Sequence, residues 1–290
     1  MIRVLLSILA LTAPALAQKG EEKTLPLPTE PSETLPEPEP THPLDMDVET
    51  YVLGNTLVTL YHELGHALVT LSGAPVLGRE EDAVDAFALV ELVTQMRSPN
   101  TDEATKARLI QYGYASIDQW RKSAREGGTP SPDAYYGPHA LDLQRMFSSA
   151  CLLYGGDSTA FAEVAEIFDI DSYFLSDCTY SYFQAYDGWT YMLDTFDAFE
   201  GSDPTPEEDL IITIRAADRQ QHTRWEELVR SWEELDAVQQ HFSSSFAIDQ
   251  PVRIAFESCG EENAYYYPEE NRVSMCYELM NAYARYYRQR

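Results

Sequence analysis

Residues 48–72 read VETYVLGNTLVTLYHELGHALVTLS, and how this stretch folds decides the class of the protein. Val52, Leu53, Leu57, Leu60, Leu64 and Leu68 recur at steps of mostly three or four, the period of an apolar helix face. Gly73, Ala74 and Pro75 stop the helix. A helix this apolar needs other elements packed around it.

Within it stands His62-Glu63-Leu64-Gly65-His66. Residues at i and i+4 sit one above the other on a helix, so His62 and His66 can offer ring nitrogens to one zinc ion. Glu63 lies about 100° around the helix from His62. From there it reaches a water at the metal without joining the ligands. This is the H-E-x-x-H arrangement of metallopeptidases. Chance produces such a pattern in about one chain per hundred of this size. A chance match would usually fall on an exposed face or a loop. Two unpaired imidazoles inside this helix would be costly.

A catalytic zinc takes three protein ligands and keeps one position for water. The next helix opens with Gly78-Arg-Glu-Glu-Asp-Ala-Val-Asp85, after a turn containing Gly73, Pro75 and Gly78 that can fold it back on the first. Glu81 is the expected third ligand, with Glu80 or Asp82 as rivals. Asp85, four residues on, shares the face of Glu81 and is expected to accept a hydrogen bond from the far nitrogen of a ligating histidine. A helix dipole accounts for acids in the first turn but not for Asp85, a turn further in. His139 either enters the pocket as a donor to an oxyanion or is a surface residue before the next helix. Asp142 and Arg145, at i and i+3, predict a structural ion pair. His42, His222 and His241 read as surface or linker residues.

Further helical patterns cover about 80–97, 102–126, 139–154, 158–168 and 180–199. Strands are expected at 210–215 and 252–256, a helix at 223–242, a hairpin at 264–267 and 272–276, and a last helix at 277–288. The fold class is therefore α+β, mostly α, with a small mixed or antiparallel sheet near the C-terminus.

Lys and Arg number 20 against 48 Asp and Glu, a formal charge of −28. Such a surface repels nucleic acid and anionic lipid, so neither is an expected partner. Residues 1–17, MIRVLLSILALTAPALA, combine Arg3, a short apolar run and an Ala15-Leu16-Ala17 cleavage site, which predicts a signal peptide and a periplasmic or secreted protein. Residues 18–44 hold seven prolines among Glu, Lys and Thr and predict a disordered, partly polyproline-II linker. One domain is expected over 45–290, and no apolar run beyond the N-terminus is long enough to span a bilayer. After export, four cysteines suggest disulfides, and of three connectivities sequence proximity favours Cys151–Cys178 with Cys259–Cys276. Metal binding by some of the four is the alternative, though their spacings contain no C-x-x-C.

The combination of YHELGHAL (61–68), PVLGREEDAVDAFA (75–88), HALDLQR (139–145), CLLYG (151–155) and CGEENAYYYPEENRVSMCYEL (259–279) resembles a family of secreted bacterial zinc metallopeptidases, of the glutamate type of zincin. The resemblance runs from about residue 50 to the C-terminus. It implies a zinc-dependent peptidase acting on peptide or protein. In zincins a sheet precedes the H-E-x-x-H helix, and its edge strand holds extended substrate. Here the strands come last, so the expectation is a zincin-like core in permuted order, with the C-terminal hairpin folded back towards His62. The alternative is a non-catalytic, zinc-stabilised binding module on the same scaffold. Cell-wall amide hydrolysis is a weaker third reading, since no carbohydrate-binding segment supports it.

Overall fold

Asp47 starts the first helix, α1 (Val48–Ser72), by accepting a hydrogen bond from the Thr50 amide at 2.7 Å. The computed structural model describes residues 42–196, 209–246, 248 and 250–289. The signal-peptide reading, and the linker reading up to residue 41, lie outside the described residues.

Tyr51, Leu57, Leu60, Tyr61 and Leu64 are all buried, so α1 is covered around most of its circumference. Its neighbours are α2 (Glu80–Arg97), α3 (Glu103–Gly127), a C-terminal helix (Tyr277–Tyr287) and two strands. Two glycines permit this closeness. A Cβ on Gly54 would lie 2.7 Å from the Tyr112 Cα of α3, and one on Gly65 would lie 2.9 Å from Val84 Cγ1 of α2. Helix α4 (Asp142–Gly156) packs against α2 and α3. Two short helices, α5 (Val164–Phe168) and α6 (Ser172–Leu175), lead to α7 (Cys178–Phe196). A disulfide joins Cys151 of α4 to Cys178 of α7.

Three helix boundaries differ from expectation, each for a local reason. The helix expected from 139 starts at Asp142, where the Gln144 side chain accepts from the Leu141 amide. The one expected from 158 starts at Val164, because Asp157 captures the amides of Thr159 and Ala160 in a turn. The helix expected over 223–242 is two, α8 (Thr223–Arg230) and α9 (Glu234–Ser245). At the break, the Ser231 hydroxyl bonds back to the Leu228 carbonyl at 3.0 Å.

The strands are β1 (Leu210–Ile214), β2 (Val252–Glu257), β3 (Ala264–Tyr267) and β4 (Arg272–Cys276), in the order β1-β2-β4-β3. The first three neighbours in that order run parallel, and β3 is antiparallel to β4, with Ala264 opposite Met275 and Tyr266 opposite Val273. The protein is thus mostly helical with a small mixed sheet near its C-terminus. A second disulfide, Cys259–Cys276, closes the base of the β3–β4 hairpin. β3 is an edge strand, and it lies beside α1. The last helix, α10 (Tyr277–Tyr287), follows β4 directly and returns along α1, where the Tyr283 hydroxyl meets Thr59 Oγ1 at 2.7 Å.

Candidate metal centre

Helices α1 and α2 bring three polar groups together at the floor of a cleft of about 430 Å³, and the loop before α4 adds a fourth. His62 Nε2 lies 3.2 Å and His66 Nε2 3.4 Å from one oxygen of Glu81, Oε2. His139 Nε2, from the loop before α4, approaches the same oxygen at 2.9 Å. That oxygen is buried yet accepts no well-aligned hydrogen bond. Two ligands on a tetrahedral zinc, each at about 2.0–2.2 Å, stand roughly 3.4 Å apart. The spacings from Glu81 to His62 and His66 are close to that value, and among the described residues His62, Glu81 and His139 offer ligand atoms that all lie within 4.8 Å of one another.

Both histidines turn their other nitrogen onto a carboxylate. His62 Nδ1 meets Asp85 Oδ1 at 2.8 Å, and His66 Nδ1 meets Glu80 Oε1 at 2.7 Å. Such partners fix the ring and leave the Nε2 lone pair for a metal. Asp82, the other acid weighed against Glu81, points away and pairs with Arg79. Asp85 is in turn gripped by Arg145 through two bonds, Nε to Oδ2 at 2.7 Å and Nη2 to Oδ1 at 2.5 Å. The guanidinium lies 3.6 Å over the Trp120 ring. This corrects the expected Asp142–Arg145 ion pair. Arg145 reaches α2 instead, and Asp142 accepts from the Ser123 hydroxyl. Arg145 and Asp85 are 60 residues apart, and no local spacing signals the pairing.

Glu63 projects from the same turn of α1 and is almost fully buried at the cleft wall. Burial pushes its carboxyl above the usual range, against the pull of His62 and His66. Burial opposes protonation of His62, but the bond to Asp85 and the nearby carboxylate of Glu81 outweigh it and raise the imidazole to about 9. Burial also works against the charge on Glu81, yet the imidazoles of His139, His62 and His66 crowded against its carboxylate hold it far below the carboxylate range. Asp85 is likewise lowered: bonding to His62 and the charge of Arg145 outweigh its burial. The opposite wall of the cleft is Ala264, Tyr265 and Tyr266 of β3, so the hairpin lies against the H-E-x-x-H helix.

Two of the histidines read as bland are not at the surface alone. His222 is buried, and His241 Nε2 meets Glu91 Oε2 at 2.5 Å.

The profile of the family DUF4344, described as "Putative metallopeptidase", matches residues 32–193 and 215–290. The chain belongs to this family. Membership implies a metal, and a peptide or protein as substrate. The match takes in both the histidine-bearing helix and the hairpin across the cleft from it. No curated protein and no solved structure matches the chain. Among the described residues no helix is long and apolar enough to cross a membrane.

Proposed function

We propose that this chain is an exported, zinc-dependent peptidase. The observation that carries the reading is the convergence of His62 Nε2, His66 Nε2 and Glu81 Oε2, with each imidazole backed by its own carboxylate. Two imidazoles and one carboxylate are a donor set suited to zinc. His62, His66 and Glu81 would hold the ion. When bound, zinc supplies a Lewis acid and lowers the pKa of water towards about 7.

The chain's own groups supply the rest. Glu63 takes a proton from the attacking water and later delivers it to the leaving amine. Its burial favours that work, because a carboxylate whose pKa is raised by desolvation holds a proton more tightly than a solvated one. His139 Nε2 stands at the cleft mouth as a donor to the oxygen that gains negative charge. The edge strand β3 offers backbone groups along which an extended peptide can pair. In this reading the core is zincin-like, with the strand that holds substrate following the H-E-x-x-H helix in the chain rather than preceding it. The two disulfides fit an oxidising compartment, and with it the signal peptide at 1–17.

A non-catalytic module held together by zinc would use His62, His66 and Glu81 but would have no need of a carboxyl buried at Glu63. The Glu63→Gln protein separates the two readings. It should fold, bind zinc as the wild type does, and cleave nothing in a broad peptide library that the wild type cleaves. A Glu63→Gln protein as active as the wild type would remove Glu63 as the base. A wild type that takes up zinc and cleaves nothing would favour the binding module.

A further inference from the structure

At the start of α10, three other ligand-type residues meet. They come from segments well apart in the chain: Asp218 and His222 from the connection after β1, and Glu278 from the first turn of α10. His222 is 1% exposed, and its Nδ1 has no hydrogen-bond partner. Leaving a buried nitrogen in that state is costly. Nδ1 points at two carboxylate oxygens, Asp218 Oδ1 at 3.7 Å and Glu278 Oε1 at 3.9 Å. Both distances are too long for hydrogen bonds. They suit donors facing one cation placed between them.

Four further contacts surround the set. Glu278 accepts the Cys259 amide at 3.0 Å and the Gly260 amide at 2.9 Å, so its carboxylate is oriented by the disulfide-braced loop while each oxygen keeps a lone pair. The amide nitrogen of Gln221 lies 3.2 Å from His222 Nε2, and a half-turn of that amide exchanges it for the oxygen. With the amide oxygen turned to the ring, it accepts the Nε2 proton, and the free lone pair then belongs to Nδ1. The Asp218 amide donates to Ser258 Oγ at 3.2 Å, which ties the same connection to the same loop.

We infer that Asp218, His222 and Glu278 form a second, structural site for a divalent first-row transition metal, zinc foremost, that pins the β1 connection to the base of the β3–β4 hairpin. The imidazole disfavours calcium and magnesium, which prefer oxygen alone. Asp218, half-exposed, supplies the open edge through which the ion enters. The site is independent of the one at His62 and stands or falls separately from the proposed peptidase activity.

The test is a zinc titration of the full chain, stripped with chelator and read by elemental analysis after buffer exchange. Wild type should hold two equivalents. Asp218→Asn, at the exposed edge where folding is not at stake, and His222→Gln should each hold one fewer, or bind that equivalent at least about tenfold more weakly. His62→Ala should lose the other equivalent and keep this one. Chelation should lower the melting temperature of the His62→Ala protein but not that of the His62→Ala, Asp218→Asn double variant. Zinc uptake by Asp218→Asn equal to that of the wild type would overturn the inference, as would a single wild-type equivalent that His62→Ala removes and Asp218→Asn does not.

Discussion

Asp85 stands between His62 and Arg145, accepting from the imidazole at 2.8 Å and from the guanidinium through two bonds. The chain of contacts continues to the face of Trp120. One helix supplies the imidazole, a second the carboxylate, and two more the cation and the ring beneath it. The orientation of His62 is therefore set by packing among four helices rather than by α1 alone.

Asp85→Asn keeps the shape of that link but removes its charge. The imidazole loses the partner that fixes its ring, and Arg145, itself largely buried, loses a counter-charge. Zinc affinity should fall about 10–100-fold, as is usual when the partner of a ligating histidine is removed. Competition against a chromogenic chelator measures this. Unchanged affinity would mean that Asp85 serves the fold and not the metal.

His139→Ala separates two roles for a side chain that is half-exposed and 2.9 Å from Glu81 Oε2. As a donor to the developing oxyanion, its loss should lower kcat by about 10²–10³ and leave zinc stoichiometry at the His62 site intact. Zinc lost together with activity would make His139 a ligand instead. Parallel measurements of kcat and bound metal decide the matter.

The positions that repeat at helical or strand period were legible in the sequence, because burial leaves a periodic trace. The face of α1, the alternation in β2 and the hairpin at 264–276 all followed from it. The placing of Glu81 and Asp85 near the histidines could be read because the turn between α1 and α2 is short. What lay further along the chain was not legible. Arg145 looked local, paired with Asp142, since i,i+3 spacing is visible and a contact across 60 residues is not. His222 looked bland because its neighbours are polar, and only the tertiary fold buries it. Glu80 and Glu81 are adjacent, and which of them faces His66 Nδ1, as Glu80 does, is a distinction of one residue that periodicity cannot make.

Asp102, the N-cap of α3, gives a pH signature away from the metal centre. The Thr105 amide at 3.0 Å, the Thr105 hydroxyl at 2.8 Å and the Ala104 amide at 2.9 Å all bond its carboxylate and hold its pKa below the ordinary value. A carboxyl lowered by folding contributes stability that is complete above the unfolded pKa of about 3.9. The contribution shrinks as pH falls through the folded value and is gone below it. Urea melts of wild type and Asp102→Ala should therefore differ at neutral pH and converge in acid. A gap that persists into strong acid would assign the difference to something other than the charged cap.

Gly65 lies inside the H-E-x-x-H turn and faces α2. A Cβ there would meet Val84 Cγ1 at 2.9 Å, Val84 Cβ at 3.0 Å and Phe87 Cδ1 at 3.1 Å. Val84 is branched and fully buried, so it cannot swing aside. Gly65→Ala gains about 1 kcal/mol in helix propensity but overpacks the contact at about 1–3 kcal/mol, so the net effect on stability is small or moderately unfavourable. Its effect on the metal should be larger in proportion, because Val84 and Glu81 sit one turn apart on α2, and moving the helix outwards carries the Glu81 carboxylate away from both imidazoles. Gly54→Ala is the control: its Cβ would press on Tyr112 of α3, a helix that supplies none of the three proposed zinc ligands. Thermal melts and zinc competition on the pair should show Gly54→Ala losing stability at unchanged affinity, and Gly65→Ala losing affinity. Equal zinc affinity in the two variants would show that the spacing of α1 and α2 at Gly65 does not set the position of Glu81.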